Sequence, residues 1–123
     1  MQNANIIIGR ARFLSTSPRK LRLVADSVRQ LPISRALIQL EAMPKRSAGI
    51  LLKVMQQAVG NAKNNFKLSP EDLKIDSIMI DEGPRFKRRD VHAHGARFDS
   101  GMRRKRMSHI VVKLKTQKSN VKN

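Results

Sequence analysis

Residues 78–115 read IMIDEGPRFKRRDVHAHGARFDSGMRRKRMSHIVVKLK, and the order of patterns inside this stretch decides the architecture. It opens with Ile78 and Ile80 alternating with other residues. It closes with Ile110, Val112 and Leu114 alternating against Val111, Lys113 and Lys115, so both ends read as β-strand. Between them the apolar period stops. From Arg85 to Met107 there are nine basic residues, Arg85, Lys87, Arg88, Arg89, Arg97, Arg103, Arg104, Lys105 and Arg106, opposed only by Asp90 and Asp99. After Asp81-Glu82, Gly83-Pro84 reads as an exit bend, and Gly95, between His94 and Ala96, as a turn. Two strands pairing at both ends of such an insert predict a protruding β-hairpin, reaching roughly 35–40 Å at about 3.3 Å per residue. A bare two-stranded ribbon is marginal in water, and this one also repels itself. It needs a polyanion along its flanks, or it stays disordered until it binds one.

Working outward, Leu73 and Ile75 extend the first of these strands, with a phase slip near Ser77 that reads as a bulge. Ser17-Pro18 reads as an N-cap followed by proline at the first helical position. The helix that follows, to about Gln30, puts Leu21, Val24, Ala25, Val28 and Leu31 on one stripe and Arg19, Arg22, Asp26 and Arg29 on the other. Pro32 stops it. Ser34 is expected to cap a short second helix with Ala36, Leu37 and Leu40 inward, ending at Pro44. A third helix, from about Lys45 to Lys63, carries Ala48, Leu51, Leu52, Met55, Ala58, Val59 and Ala62 at i, i+3, i+4, i+7 spacing. Gly49 and Gly60 each cost it roughly 1 kcal/mol against alanine. Close packing on a neighbouring element or RNA would explain that cost, and so would plain tolerance. Asn64-Asn65 is a weak stop. Ile6 to Phe13 reads as a strand with Arg10 and Arg12 on one face. The whole is an α+β body, about residues 5–82 and 108–115, with a hairpin at about 83–107 and a basic tail at 116–123.

Composition narrows the function. The chain has 123 residues, one domain's worth, with 26 Lys and Arg against 9 Asp and Glu, for a net charge of +17. Cysteine is absent, which excludes disulfides, thiolate zinc sites and Cys nucleophiles. No apolar run approaches the ~18 residues of a membrane span. Trp and Tyr are absent and Phe occurs four times, so an aromatic platform for unpaired bases is thinly supplied. The Arg- and Ser-rich start could imitate a transit peptide, but the core pattern of a helix already begins at Pro18, and Ile6 to Ile8 are too short for a secretory core. A second basic zone, Arg10, Arg12, Arg19, Lys20 and Arg22, precedes any acid, and a third holds Lys113, Lys115, Lys118 and Lys122. Charge of one sign in zones points to phosphate, because each contact releases counterions and arginine adds a bidentate fork.

Other chemistries fit less well. His92 and His94 beside Asp90 and Asp99 invite a metal reading, but there is no thiolate, no HExxH spacing, and only His109 as a further imidazole. Asp81 and Glu82 could pose as a nuclease carboxylate pair, yet adjacent strand residues point to opposite faces. No enzyme activity, metal, cofactor or membrane contact is expected. The rival binding reading is a DNA-bending architectural protein whose basic arm wedges Val91 or Phe98 into a minor groove.

Four segments, in order and spacing, resemble the L-twenty-two family of large-ribosomal-subunit proteins. Ser17 to Asp26 (SPRKLRLVAD) is similar to its first-helix signature, and Ala58-Val59-Gly60-Asn61-Ala62 to the end of its third helix. Asp81 to Pro84 followed by Lys87-Arg88 resembles its entry into the hairpin, and Lys105 to Ile110 (KRMSHI) its return into the last strand. The likeness runs from about Arg10 to Lys115. It implies three helices on a three-stranded antiparallel sheet with one long hairpin, in a cytoplasmic or organellar ribosome. It also implies rRNA contacts from the body near the outer mouth of the nascent-peptide tunnel, neighbouring ribosomal proteins as partners, a role in subunit assembly, and no homo-oligomer. On this basis Arg10, Arg12, Arg19, Lys20, Arg22, Arg85, Lys87, Arg88, Arg89, Arg97, Arg103, Arg104, Lys105, Arg106 and His109 are expected on rRNA. Arg89, Asp90, Val91, His92, Ala93, His94 and Gly95 are expected at the hairpin tip, lining the tunnel beside the nascent polypeptide. At the tip the family's Pro-Arg-Ala-x-Gly-Arg run is replaced by Val91-His92-Ala93-His94-Gly95-Ala96.

Overall fold

The computed structural model describes residues 6–89 and 101–116. Its β-strands are β1 (Ile6–Leu14), β2 (Leu73–Arg89) and β3 (Met102–Thr116), and its helices are α1 (Pro18–Val28), α2 (Ile33–Ala42) and α3 (Arg46–Phe66). The strands form one antiparallel sheet in the order β1-β3-β2, so the last strand in the chain is the central one. This is the α+β arrangement of three helices and three strands that the resemblance implied.

Register explains how the apolar pattern closes a core. Leu114 sits between Ile7 and Ile75, and Val112 between Gly9 and Ile78; Ile110 faces Ile80 on one side and Ala11 on the other. Ile75 and Ile78 are three residues apart, which on a regular strand would aim them at opposite faces. The register shift between Ile75 and Ser77 inserts one residue and resets the phase, so that both are buried. Onto this face pack Leu21, Val24, Ala25 and Val28 of α1 and Ala48, Leu51, Val54, Met55, Ala58 and Ala62 of α3, all buried. Leu52 and Val59, expected in the same stripe, are half-buried at its margin. Residues of the opposite sheet face, among them Ile8, Arg10, Val111, Lys113, Lys74 and Met79, are half-buried or exposed.

The edge strand β1 is held tightly against α3. A Cβ built on Gly9 would lie 2.8 Å from the Val54 carbonyl oxygen and 2.9 Å from the Ala58 Cβ, and Asn61 Nδ2 donates to the Ile8 carbonyl at 3.0 Å. Gly9→Ala is therefore expected to destabilise the body by about 1–3 kcal/mol through forced separation of strand and helix, read as a lower thermal midpoint by circular dichroism.

Three boundaries differ from the sequence expectation. Ser34 does not cap α2; the cap position falls two residues earlier, at Pro32, and the helix starts at Ile33, whose side chain is buried. Helix α3 runs through Asn64-Asn65 to Phe66 and stops where Lys67 turns left-handed at φ 51°, with the Leu68 N–H bonded back to the Ala62 carbonyl at 3.1 Å. Gly83-Pro84 is not an exit bend. The strand continues across it through a bulge between Glu82 and Arg85, where Pro84 has no paired residue opposite and so its missing N–H breaks no ladder bond. Gly83 is needed there, since a Cβ would sit 3.0 Å from the Met107 backbone. The return arm of the expected hairpin is continuous with the last strand: β3 runs from Met102, its first half paired with the basic half of β2.

Candidate nucleic-acid interface

Beyond the Glu82–Arg85 bulge the two strands leave the body as a ribbon. Seven residues from Gly83 to Arg89 carry it about 23 Å at ~3.3 Å per residue. Eight of the ten ribbon residues at 85–89 and 102–106 are Arg or Lys, the others being Phe86 and Met102. The pairing puts like charges directly opposite: Arg85 against Arg106, Lys87 against Arg104, and Arg88 against Arg103. Alternation then gives Arg85, Lys87, Arg89, Arg104 and Arg106 to one face and Arg88, Arg103 and Lys105 to the other. Like-charged neighbours across a strand pair destabilise it. An acid stands at the ribbon's root, where Glu82 meets Arg85 at 3.2 Å, and that pair is solvent-exposed. Such a ladder gains stability from anions on both flanks.

At the root of the ribbon the body joins in. Arg19 and Arg22 of α1 line a cavity of about 360 Å³ together with Arg85, Arg106, Gly83 and Met107, with Asp26 and Glu82 at its wall. Arg22 also braces the fold, since its Nη2 donates to the Ile80 carbonyl of β2 at 2.9 Å, which leaves the rest of its fork for an external anion. Lys20 is exposed on α1. Ser108, buried where β3 enters the body, donates from its hydroxyl to the Thr16 carbonyl, tying the start of α1 to the foot of the ribbon.

On the opposite sheet face Arg10, Arg12 and His109 converge. They line a second concavity, about 400 Å³, with Phe13, Asp81, Ile110 and Val111. Its geometry comes from a bulge in β1: three steps from Ala11 to Leu14 span two steps from Ile110 to Ser108. The extra residue is accommodated by Phe13 at φ 57°, a left-handed conformation that costs a bulky residue about 1–2 kcal/mol. His109 Nδ1 accepts the Phe13 N–H at 3.0 Å, and the two rings meet edge-to-face at 5.0 Å and 88°. With Nδ1 engaged as acceptor, the imidazole proton resides on Nε2. Asp81 and Glu82 line different hollows: Asp81 this concavity and a shallower one with Arg22, Asp26 and Arg29, and Glu82 the cavity at the ribbon root. Among the described residues no group of three or more His, Asp or Glu is placed to hold a metal ion, and no helix is long and apolar enough to cross a membrane.

The expected site residues thus fall into three groups, at the ribbon, its root and the outer sheet face. Arg97, Asp90, Val91, His92, Ala93, His94 and Gly95 lie outside the described residues, as do Phe98 and Asp99. Sequence reasoning missed two features. One is Phe13, 61% exposed where a strand end was expected; two adjacent large apolar residues, Phe13-Leu14, were the available signal, since a strand buries only one of such a pair. The other is α3 and its flanks, where Lys45, Arg46, Lys53, Lys63 and Lys67 meet no acid between Glu41 and Glu71. On that helix Gly49 and Gly60 have nothing within 4 Å of a built Cβ, so packing on a neighbouring element does not explain them.

Comparison with known proteins fits this geometry. The family model for Ribosomal protein L22p/L17e matches residues 9–115. The large ribosomal subunit protein uL22 of Petrotoga mobilis is 43% identical over 104 residues, covering 85% of this chain and 68% of that protein. The uL22 of Thermomicrobium roseum is 41% identical over 103 residues, 84% and 85% respectively. That of Pseudothermotoga lettingae is 40% identical over 106 residues, 86% and 74%.

Proposed function

The chain belongs to the ribosomal protein L22p/L17e family and is a structural constituent of the large ribosomal subunit, and from that premise we propose that its ribbon, ribbon root and outer sheet face are the surfaces that grip large-subunit rRNA. In a bacterial cell this places it in the cytoplasmic ribosome, associated with the subunit's RNA and proteins. The observation that carries the assignment of surfaces is the like-charge ladder Arg85/Arg106, Lys87/Arg104, Arg88/Arg103. A ribbon so charged on both faces suits a position between two phosphate backbones rather than on one. Arg10, Arg12, Arg19, Lys20, Arg22 and His109 extend the contact onto the body, with Arg89 and Lys105 along the ribbon, and Arg97, outside the described residues, is expected on the same RNA.

Recognition on this reading is by backbone and shape, since the deep major groove of A-form RNA excludes side chains. Residues 89–95 face the nascent polypeptide in the exit tunnel, a role that rests on the family resemblance. The protein acts by positioning RNA, without catalysis and as a single copy per subunit. The DNA-bending alternative gains no support, because the relatives are large-subunit proteins.

Sucrose-gradient sedimentation of cell lysate at low and high salt tests the assignment. Comigration with the large subunit that survives high salt is expected, as many phosphate contacts made at once would give. Release at modest salt, or migration with the nucleoid, would overturn it.

A further inference from the structure

We propose that Phe13 is a base-stacking platform: an unpaired nucleobase of the bound RNA lies on its ring, in the concavity it shares with Arg10, Arg12, Asp81 and His109. The inference rests on the rRNA-binding reading and adds a ligand class and a site to it.

Several independent observations meet at this residue. The residue is 61% exposed, and its backbone occupies the left-handed region that glycine or asparagine ordinarily fills at a bulge. A bulky aromatic there opposes folding unless the ring is wanted where it stands. It is also held in place. The backbone N–H bond to His109 Nδ1 at 3.0 Å fixes the chain at this point, and the edge-to-face contact at 5.0 Å orients the ring. A pre-set, solvated aromatic face is what stacking with a base requires, and stacking is indifferent to which base is offered.

The surroundings favour a nucleotide over other occupants. Arg10 and Arg12 supply cations for the phosphates on either side of the stacked base, and Ile110 and Val111 complete the lining. Asp81 would repel a phosphate placed deep in the concavity, but its carboxylate accepts from an exocyclic amino group. The site therefore suits a base with its amino edge toward Asp81, which cytosine, adenine and guanine have and uracil lacks. A protein partner would have to cover two arginines of a chain that carries a net charge of +17.

The chain contains no tryptophan or tyrosine, so a single introduced indole is a clean reporter. Phe13→Trp in the full chain is titrated with transcribed large-subunit rRNA, beside Phe66→Trp, a substitution at the far end of α3. Stacking is expected to quench the indole emission of Phe13→Trp at least two-fold and leave unchanged that of a second control, Ile38→Trp, at an exposed position of α2 away from every cationic group named above. Phe13→Asn, which suits a left-handed backbone, is expected to bind the RNA about 5- to 100-fold more weakly while melting no lower than the parent. Salt-dependent gel shift of the parent chain runs in parallel. If the parent binds and either the Phe13→Trp emission is unmoved or Phe13→Asn binds equally well, the stacking site is refuted and the rRNA reading stands. An emission that responds only when other ribosomal proteins are added assigns the ring to a protein partner and also refutes it. Failure of the parent to bind rRNA overturns the underlying reading instead.

Discussion

Replacing Arg88, Arg89, Arg104 and Arg106 together with glutamine should cut the affinity for large-subunit rRNA about a thousand-fold near 0.1 M salt. That magnitude follows from counterion release, in which each phosphate contact contributes roughly 0.7–0.9 to the slope of log K against log salt. Four lost contacts flatten that slope by about three units. The same variant removes one member from each of the pairs Arg85/Arg106, Lys87/Arg104 and Arg88/Arg103. The unbound protein should consequently melt no lower than the parent, and somewhat higher at low salt, where like-charge repulsion is least screened. This separation of effects is the informative part. Weaker binding with unchanged folding places the four side chains on phosphate, whereas an unchanged salt slope, measured by filter binding from 50 to 400 mM salt, would remove the ribbon from the interface.

Leu114→Ala addresses the body and should have the opposite signature. Leu114 is fully buried in the central strand between Ile7 and Ile75. Truncating a buried leucine costs about 3–5 kcal/mol when the site cannot collapse, and flanking strands on both sides leave little room to do so. For a chain of this size that is a fall in thermal midpoint of about 10–20 °C by calorimetry. A fall below about 3 °C would contradict the placement of this side chain in the core. The remaining fraction that is folded should bind RNA with the parent's salt slope, because no cation has been touched.

Much of this was legible in the sequence, and the exceptions share a cause. Helices α1 and α3 announce themselves because their apolar stripes repeat over several turns, and Ser17-Pro18 marks a start that the structure keeps, with Ser17 Oγ accepting the Lys20 N–H at 3.4 Å. The slip at Ser77 was readable because the pairs Leu73/Ile75 and Ile78/Ile80 fall out of phase. What could not be read locally was pairing. Gly83-Pro84 looks like a turn, but β3 lies alongside and carries the strand through it. Met102 to Met107 has no apolar period, so its strand character comes only from the partner opposite. The cationic residues of the interface were all visible as composition, but their opposition across the ladder was not. Phe13 was harder still, because a left-handed backbone at a bulge is a consequence of register, and register is decided by residues nearly a hundred positions away.

The central place of β3 has a consequence for how the protein is made. Both other strands hydrogen-bond to it and hardly to each other, yet it follows them in the chain. During synthesis β1 and then the three helices emerge with an incomplete surface to cover, and once β2 follows, β1 and β2 wait as two open edges. The fold cannot close by progressive addition; it closes when the last strand arrives and slots between the two that precede it. Chains cut short before Met102 would lack the one element that joins the sheet, and would expose apolar edges ready to pair with one another. A protein of this topology depends, for its own maturation, on being finished promptly and on finding its RNA soon afterwards.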